Sequence, residues 1–338
     1  MFYLKVIIFC TINLLLINKF LTYKKILLHQ NSNHQHKDKF KKNIPLSSGL
    51  YFLLCFIFLS IITNYNYYYI LVVIFCTPML LIGLLADINY DLKPAIRLFF
   101  SFLIIISIVL LLDIFIYETG INFLDYFLKN KVISILFTSF CILILVNGFN
   151  FIDGTHGNLA LYNVLLYFFI FYFYIQNINL NLYYSGLVII FLIFTILNFF
   201  EKNFMGDNGS YFLGIVTGII AIMFYKNSNL SSLYIVNILS YPAIEVLWSM
   251  IRKYLQKKSV EFADRLHLHH LILIQFKRKN NNQISSIFTS ITIFTFNFIF
   301  IKIASEHPFD KYYQLKILIT YFLCYVFFYL FLFKIKKK

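Results

Sequence analysis

Long apolar stretches separated by short polar connections make up most of this sequence. The stretches run to roughly 17 to 22 residues, which is long enough for an α-helix to cross a hydrocarbon layer about 30 Å thick. Eleven segments have this character: about 2–20, 48–63, 69–86, 96–113, 132–147, 160–176, 183–200, 210–225, 232–251, 284–304 and 313–333. The pattern predicts an all-α fold, a polytopic transmembrane helical bundle of about eleven spans. The connections leave no room for a soluble domain, so we expect residues 1–338 to form a single integral-membrane domain.

Composition agrees with this prediction. With 60% hydrophobic and only 13% charged residues, the chain lacks the polar surface that a soluble protein of this length needs. All five cysteines lie within apolar runs and none forms a C-x-x-C pair, which argues against disulfides and thiolate metal sites. The first apolar run contains only Lys5 near its start and is followed by a basic segment rather than a small-residue cleavage site. We therefore interpret it as a retained span and not as a signal peptide.

The basic residues predict the orientation of the bundle. A net charge of +15 would suggest a nucleic-acid partner for a soluble protein, but in a membrane protein basic residues mark the cytoplasmic loops. Of the 29 Lys and Arg residues, 22 fall in the C-terminal tail and in one alternating set of connections: about 21–47, 87–97, 148–159, 201–209 and 252–283. We expect the N-terminus outside, the C-terminus in the cytoplasm, a location in the inner (cytoplasmic) membrane, and no nucleic-acid partner.

Four compact polar clusters lie in these same connections, at 87–91, 147–158, 205–210 and 264–270. Each one adjoins the end of a predicted span, where a charged side chain costs less free energy than at the centre of the bilayer. The connections on the opposite side are short and lack such clusters. The pattern therefore predicts a polar site at the boundary between membrane and cytosol.

The cluster at 147–158 combines glycines with amides and one carboxylate. Asn147, Asn150 and Asp153 recur every three residues, so at a helix end they would share one side. Such groups suit hydrogen bonding to a nucleoside, and capping of the helix end by Asn and Asp is the alternative interpretation.

The other two clusters carry candidate metal and phosphate ligands. Asp207 lies in a glycine turn directly before the predicted span that starts near Ser210, where it would serve as an N-cap or as a ligand of magnesium, a hard cation that prefers carboxylates and phosphates. Arg265 and the histidines at 267, 269 and 270 suit hydrogen bonding to a diphosphate. A zinc site is the alternative for the histidines, but no thiolate is near them and their spacing is not that of common zinc motifs.

These motifs, in this order, resemble the polyprenyl-phosphate N-acetylhexosamine-1-phosphate transferases, in particular the glycan-initiating branch of bacterial glycosyltransferase family 4. The resemblance covers nearly the whole chain. It rests on these segments: Gly83–Asp87 with Pro94 and Arg97, Asn147–Ala160, Phe204–Asp207, Tyr241–Glu245 with Arg252, and Asp264–Leu271.

The resemblance implies a transferase that moves a sugar 1-phosphate from a UDP-sugar to polyprenyl (undecaprenyl) phosphate, releases UMP and initiates a lipid-linked cell-surface glycan such as O-antigen. It implies Mg²⁺ as cofactor, with Mn²⁺ as an alternative, and an active site that faces the cytoplasm. It assigns roles as follows: Asp207 and Asn150 to the metal; Asp87 to orienting the lipid phosphate; Asn147, Asn150 and Asp153 to the nucleoside side; Arg265, His267, His269 and His270 to the charge on the diphosphate.

Three positions depart from the family pattern: Ala86 replaces the first acid of an acidic pair, Leu46 replaces an arginine, and His156 replaces an Asp or Asn. An inactive relative, a transporter or flippase, and a structural membrane subunit are therefore the alternatives. A transporter would normally carry ionisable residues near the middle of its spans, and no predicted span here carries one. A structural subunit would not need the polar clusters.

Overall fold

The computed structural model describes residues 1–29, 43–63, 67–88, 93–174, 176–257 and 266–336. These residues form fifteen α-helices: α1 (Phe2–Lys24), α2 (Ser48–Ile62), α3 (Tyr67–Phe75), α4 (Thr77–Asp87), α5 (Pro94–Leu111), α6 (Asn122–Leu128), α7 (Lys131–Ile152), α8 (Asn158–Phe173), α9 (Ile178–Phe199), α10 (Gly206–Lys226), α11 (Ser232–Ile238), α12 (Ser240–Leu255), α13 (Leu268–Lys277), α14 (Asn282–Ala304) and α15 (Lys311–Lys336). Two short strands, β1 (Leu28–His29) and β2 (Ile44–Pro45), pair antiparallel.

Each of the eleven predicted segments contains a helix of this fold. Within the described residues, eight helices are long and apolar enough to cross a membrane, α11 and α12 together make a ninth that is bent by 75°, and α2 and α8 are shorter apolar helices. The prediction of a polytopic membrane bundle is confirmed. The number of spans that cross the membrane and their orientation stay predictions.

Proline breaks two of the predicted spans into helix pairs. Pro242 lacks a backbone N–H and clashes with the carbonyl four residues earlier, which here belongs to Ile238. That carbonyl instead accepts a hydrogen bond of 2.6 Å from the hydroxyl of Tyr162. In the same way Pro78 follows the break between α3 and α4, and the carbonyl of Ile74 accepts the Thr77 hydroxyl at 2.8 Å.

Three predicted boundaries need correction. Helix α10 begins at Gly206 and not near Ser210, so Asp207 lies inside its first turn. The connections at 114–131 and 252–283, which we expected to be irregular, contain the helices α6 and α13.

Helix α10 forms the centre of the bundle and packs against α2, α4 and α7. Small residues make this possible, since Gly214 and Gly218 lie one turn apart on the side that meets α7. A Cβ atom at Gly214 would lie 2.6 Å from the Cα atom of Val146, so only glycine allows the two backbones to come this close. The central position of α10 brings its first turn, with Asp207, against the ends of the surrounding helices.

Candidate active site

The first turn of α10 is held by a carboxylate from another helix. Both oxygens of Asp87, the last residue of α4, accept backbone N–H groups at 2.9 Å, one from Asp207 and one from Asn208. The N–H groups at the start of a helix have no partner within it, and Asp87 supplies partners for two of them. Asp207 itself does not cap the helix, which disfavours the N-cap interpretation. The structure gives Asp87 a clear positioning role, and its predicted contact with the lipid phosphate stays a prediction.

Asn208 links this turn to the segment before α2. Its side-chain oxygen accepts the N–H of Gly49 at 2.6 Å, and its amide donates to Asp87 and, at 3.3 Å, to the carbonyl of Leu46. Leu46 also forms a parallel β-bridge with Phe204. Leu46 therefore contributes through its backbone, and these contacts do not depend on the arginine that the family pattern has there.

The Asp207 carboxylate binds two side chains from two further helices. Its Oδ1 accepts the Asn150 amide of α7 at 2.7 Å, and its Oδ2 pairs with the Arg97 guanidinium of α5 at 2.9 Å. The side chains of Arg97 and Asp207 are 26% and 32% exposed, so the pair is open to a ligand. Asp87, Asn150 and Asp207, which the sequence predicts as one site, are thus neighbours. The ion pair with Arg97 was not predicted.

The three-residue repeat on α7 does not act as one group. The amide of Asn147 donates to the Leu143 carbonyl of its own helix at 2.8 Å, while Asn150 reaches Asp207. Asp153 follows the last residue of α7. Burial raises the pKa of the Asp153 carboxyl group well above its usual range, and the negative charges of Asp207 and Asp87 raise it further. Asp153 therefore lies close enough to belong to the same acidic cluster.

The loop after Asp153 is fixed to α14 through the backbone of His156. Its N–H donates to the Ser286 hydroxyl at 2.7 Å, and its carbonyl accepts the Ser290 hydroxyl at 2.6 Å. The imidazole is buried, stacks on Phe204 with ring centroids 4.9 Å apart, and lies 3.7 Å from Glu201. His156 thus joins the loop after α7 to the segment that leads into Asp207.

The three histidines gather at the start of α13. The rings of His269 and His270 have centroids 4.2 Å apart, and His267 stacks parallel to His269 at 5.6 Å. A Cβ atom at Gly154 would lie 2.0 Å from Nε2 of His269, so the histidines pack directly on the loop that follows Asp153. Burial lowers the pKa of His269 well below its usual range, and the rings of His270 and His267 lower it further. Arg265 lies outside the described residues.

Two buried residues of α12 anchor this histidine segment. Glu245 lies with Oε2 at 2.9 Å from Nδ1 of His267. Arg252 donates to the Leu266 carbonyl at 2.8 Å and to the Tyr329 hydroxyl at 3.0 Å. The sequence placed both residues in the family motif but gave no indication of these contacts. A charged residue retained inside an apolar run was the available signal.

The donor atoms around Asp207 fit magnesium and do not fit zinc. Asp207 offers a partly exposed carboxylate, with Asp153 and Asp87 adding negative charge nearby. Among the residues that the structure describes, no three His, Cys, Asp or Glu side chains are placed to hold a metal ion together. Magnesium is commonly bound by one or two carboxylates, with phosphates and water as further ligands, whereas zinc takes three or four protein ligands.

This geometry defines a class of protein: a multi-pass membrane protein with a carboxylate-rich polar site at one end of its helical bundle. Comparison with known proteins then gives the family. The model of glycosyl transferase family 4 matches residues 69–225, which include Asp87, Asn150 and Asp207. The chain belongs to this family of polyprenyl-phosphate hexosamine-1-phosphate transferases.

Three curated relatives agree with this assignment. A probable undecaprenyl-phosphate N-acetylglucosaminyl 1-phosphate transferase of Bacillus subtilis is 32% identical over 134 residues, 38% of this chain and 37% of the relative. Undecaprenyl-phosphate alpha-N-acetylglucosaminyl 1-phosphate transferases of Yersinia pestis and Thermotoga maritima are 25% and 26% identical over 242 and 220 residues. These two matches cover 68% and 61% of this chain and 66% and 61% of the relatives. The chain therefore spans between about a third and two thirds of the length of the relatives it matches.

Proposed function

We propose that the protein transfers an N-acetylhexosamine 1-phosphate unit from a UDP-sugar to a polyprenyl phosphate such as undecaprenyl phosphate, with release of UMP. One observation carries the proposal: three different apolar helices bring Asp207, Asn150 and Arg97 together at one end of the bundle. A carboxylate, an amide and a guanidinium group at a helix end suit a phosphate site that a water-soluble nucleotide and a membrane lipid both reach. The names of the three relatives support the acceptor and the transferred group.

In the proposed reaction, an oxygen of the polyprenyl phosphate attacks the phosphorus atom that carries the sugar. A new P–O bond forms while the bond from that phosphorus to the oxygen bridging it to the α-phosphate breaks, and UMP leaves with the bridging oxygen and its electron pair. One phosphoanhydride replaces another, so the transfer needs no further energy source. Because an ionised phosphate is already a nucleophile, the main task of the protein is to hold two anions together.

Arg97 is suited to reduce the repulsion between these anions. It lies in the first turn of α5, and the residues that follow it, Leu98, Phe99 and Phe100, are 49%, 58% and 51% exposed. In a bilayer such an apolar surface faces lipid. We propose that the polyprenyl chain approaches along α5, which would bring its phosphate to the guanidinium group of Arg97.

The other residues have roles in proportion to their contacts. Asp207 would hold Mg²⁺, or Mn²⁺ in its place, with Asn150 supporting that carboxylate. When bound, the ion would neutralise charge on the diphosphate. Asn147 and Asp153 are proposed for the nucleoside side, and the proposed diphosphate contacts are Arg265, His267, His269 and His270.

The proposal extends to location and pathway. The site would face the cytoplasm at the inner membrane, because most basic residues lie in the connections at that end of the bundle. The product would be the first lipid-linked intermediate of a cell-surface glycan.

Purified protein in detergent tests the proposal directly. UDP-N-acetylglucosamine and UDP-N-acetylgalactosamine are offered separately, with and without undecaprenyl phosphate, and UMP release and the mass of the lipid product are measured. We expect UMP only when the lipid is present, a lipid product heavier by one N-acetylhexosamine 1-phosphate, loss of both on chelation, and recovery with Mg²⁺ or Mn²⁺. A transporter, a structural subunit or an inactive relative would release no UMP with either sugar nucleotide, and that result would overturn the proposal.

A further inference from the structure

Glu245 is a buried carboxylate that contacts both a histidine ring and the start of a helix. It lies in α12 and is 1% exposed. Its Oε1 accepts the backbone N–H of Leu268 at 3.1 Å, and its Oε2 lies 2.9 Å from Nδ1 of His267. One side chain therefore fixes the first N–H group of α13 and the imidazole directly before it.

This contact determines where the ring carries its proton. An ionised carboxylate can only accept hydrogen bonds, so Nδ1 of His267 is the nitrogen that bears hydrogen. The other nitrogen, Nε2, makes no hydrogen bond within the described residues. In the neutral ring Nε2 then offers a lone pair, and a proton taken up there would give an imidazolium ion stabilised by Glu245.

The ring is also restrained from two other directions. Phe151 lies with its ring centroid 4.9 Å from that of His267, and His269 stacks on it with the ring planes only 3° apart. Phe151 is the neighbour of Asn150, which contacts Asp207. The orientation that Glu245 imposes on His267 is therefore set relative to the segment that carries the acidic cluster.

We infer that Glu245 is a positioning residue that holds His267 with Nδ1 protonated, leaving Nε2 to exchange a hydrogen bond or a proton with a phosphate group. The phosphate as ligand rests on the proposed function. The tautomer does not, because it follows from the contact between Glu245 and His267 alone. Glu245 touches no substrate in this account and acts only through the histidine.

The substitution Glu245→Gln gives a sharp test, because the backbone N–H of Leu268 is a fixed donor. The new side-chain amide satisfies that N–H only by turning its oxygen toward it, which directs its NH₂ group at Nδ1 of His267. Nδ1 must then accept, and the proton moves to Nε2. The change from a carboxylate to an amide conserves shape, so helix α13 keeps its anchor while the tautomer of His267 is inverted.

Nitrogen-15 NMR of histidine-labelled protein in detergent distinguishes the two forms, with His267→Gln used to assign the resonances. We expect a protonated Nδ1 for His267 in the wild type and a protonated Nε2 in Glu245→Gln. An unchanged pair of nitrogen shifts in Glu245→Gln would overturn the inference, whether or not the protein proves to be a transferase.

Transfer kinetics give the second readout through a double-mutant cycle. We expect Glu245→Gln to lower kcat by about tenfold or more, with little change in KM for the UDP-sugar, and to have no further effect when His267→Gln is present. Asn297→Leu removes another buried polar contact, 3.0 Å from the Tyr321 hydroxyl, and serves as control because its effect should add to that of His267→Gln. Additive effects of Glu245→Gln and His267→Gln would contradict positioning through the histidine.

Discussion

The backbone N–H of Asp207 donates a hydrogen bond of 2.9 Å to Oδ1 of Asp87, although the two residues lie 120 positions apart in the chain. The bond joins the end of α4 to the start of α10 and fixes the turn from which the Asp207 side chain extends. The two acids thus differ in task within the structure, since Asp87 is engaged with backbone donors and Asp207 with side chains. This difference leads to distinct expectations for their substitution.

Asp87→Asn is expected to weaken both stability and transfer. An amide has one oxygen, so one of the two N–H groups that Asp87 satisfies would face an NH₂ group and lose its partner. A buried donor left without a partner costs about 1–3 kcal/mol, so the midpoint of thermal unfolding in detergent should fall. Asp207→Asn changes no backbone contact of this turn and should leave the midpoint nearly unchanged. Equal midpoints for both variants would contradict the positioning role of Asp87.

Arg97→Gln should reduce transfer while the protein stays folded. The substitution removes the positive charge beside Asp207, so repulsion between the two substrate phosphates is opposed less strongly, and we expect kcat/KM to fall by about 10²-fold or more. Arg97→Lys should retain part of the activity, since it keeps the charge but not the planar guanidinium geometry. Lys93→Gln, one turn earlier and exposed, is the matched control. An equal effect of Lys93→Gln would indicate general electrostatics rather than a specific role of Arg97.

His269 predicts how stability depends on pH. Burial holds the pKa of His269 well below its usual range, whereas in the unfolded chain it should be near the ordinary value of about 6.5. Below that pH the unfolded state binds more protons, so the free energy of unfolding should decrease as the pH falls from about 7 to about 5. His269→Asn should reduce this dependence. Thermal unfolding midpoints across that range test it, and an unchanged slope in the variant would contradict the assignment.

The predicted orientation can be tested without reference to activity. Because most basic residues lie at one end of the bundle, we expect a fluorescent protein fused to the C-terminus to fluoresce in the cytoplasm, and a periplasmic phosphatase fused there to be inactive. The opposite pattern, an active phosphatase and no fluorescence, would place the proposed site on the outer face of the membrane.

The sequence predicted which residues matter better than it predicted their contacts. Apolar length was enough to find the helices, and the polar residues at their ends marked Asp87, Asn150, Asp207 and the histidines. It did not predict that Arg97 meets Asp207 or that Glu245 meets His267. In a membrane bundle the lipid-facing and protein-facing sides of a helix are both apolar, so the pattern does not show which sides pack together.

Local chemistry explains the remaining differences. The bend between α11 and α12 depends on one proline and on the Tyr162 hydroxyl that binds the freed carbonyl, a partner 76 residues away that no local pattern reveals. The early start of α10 at Gly206 depends on Asp87, because a carboxylate from another helix satisfies its first N–H groups. Asn147 was expected to act with Asn150, but its amide binds its own helix.

The most direct test of the account is the transfer activity of Asp207→Asn in the presence of Mg²⁺, measured as UMP release dependent on undecaprenyl phosphate. Asp113→Asn is the control, since Asp113 is a 75% exposed acid whose nearest cation, Lys131, lies 3.9 Å away. We predict a loss of about 10²-fold or more for Asp207→Asn, at an unchanged amount of folded protein in the membrane, and no loss for Asp113→Asn. Wild-type rates in Asp207→Asn would contradict the claim that Asp207 is the centre of the site.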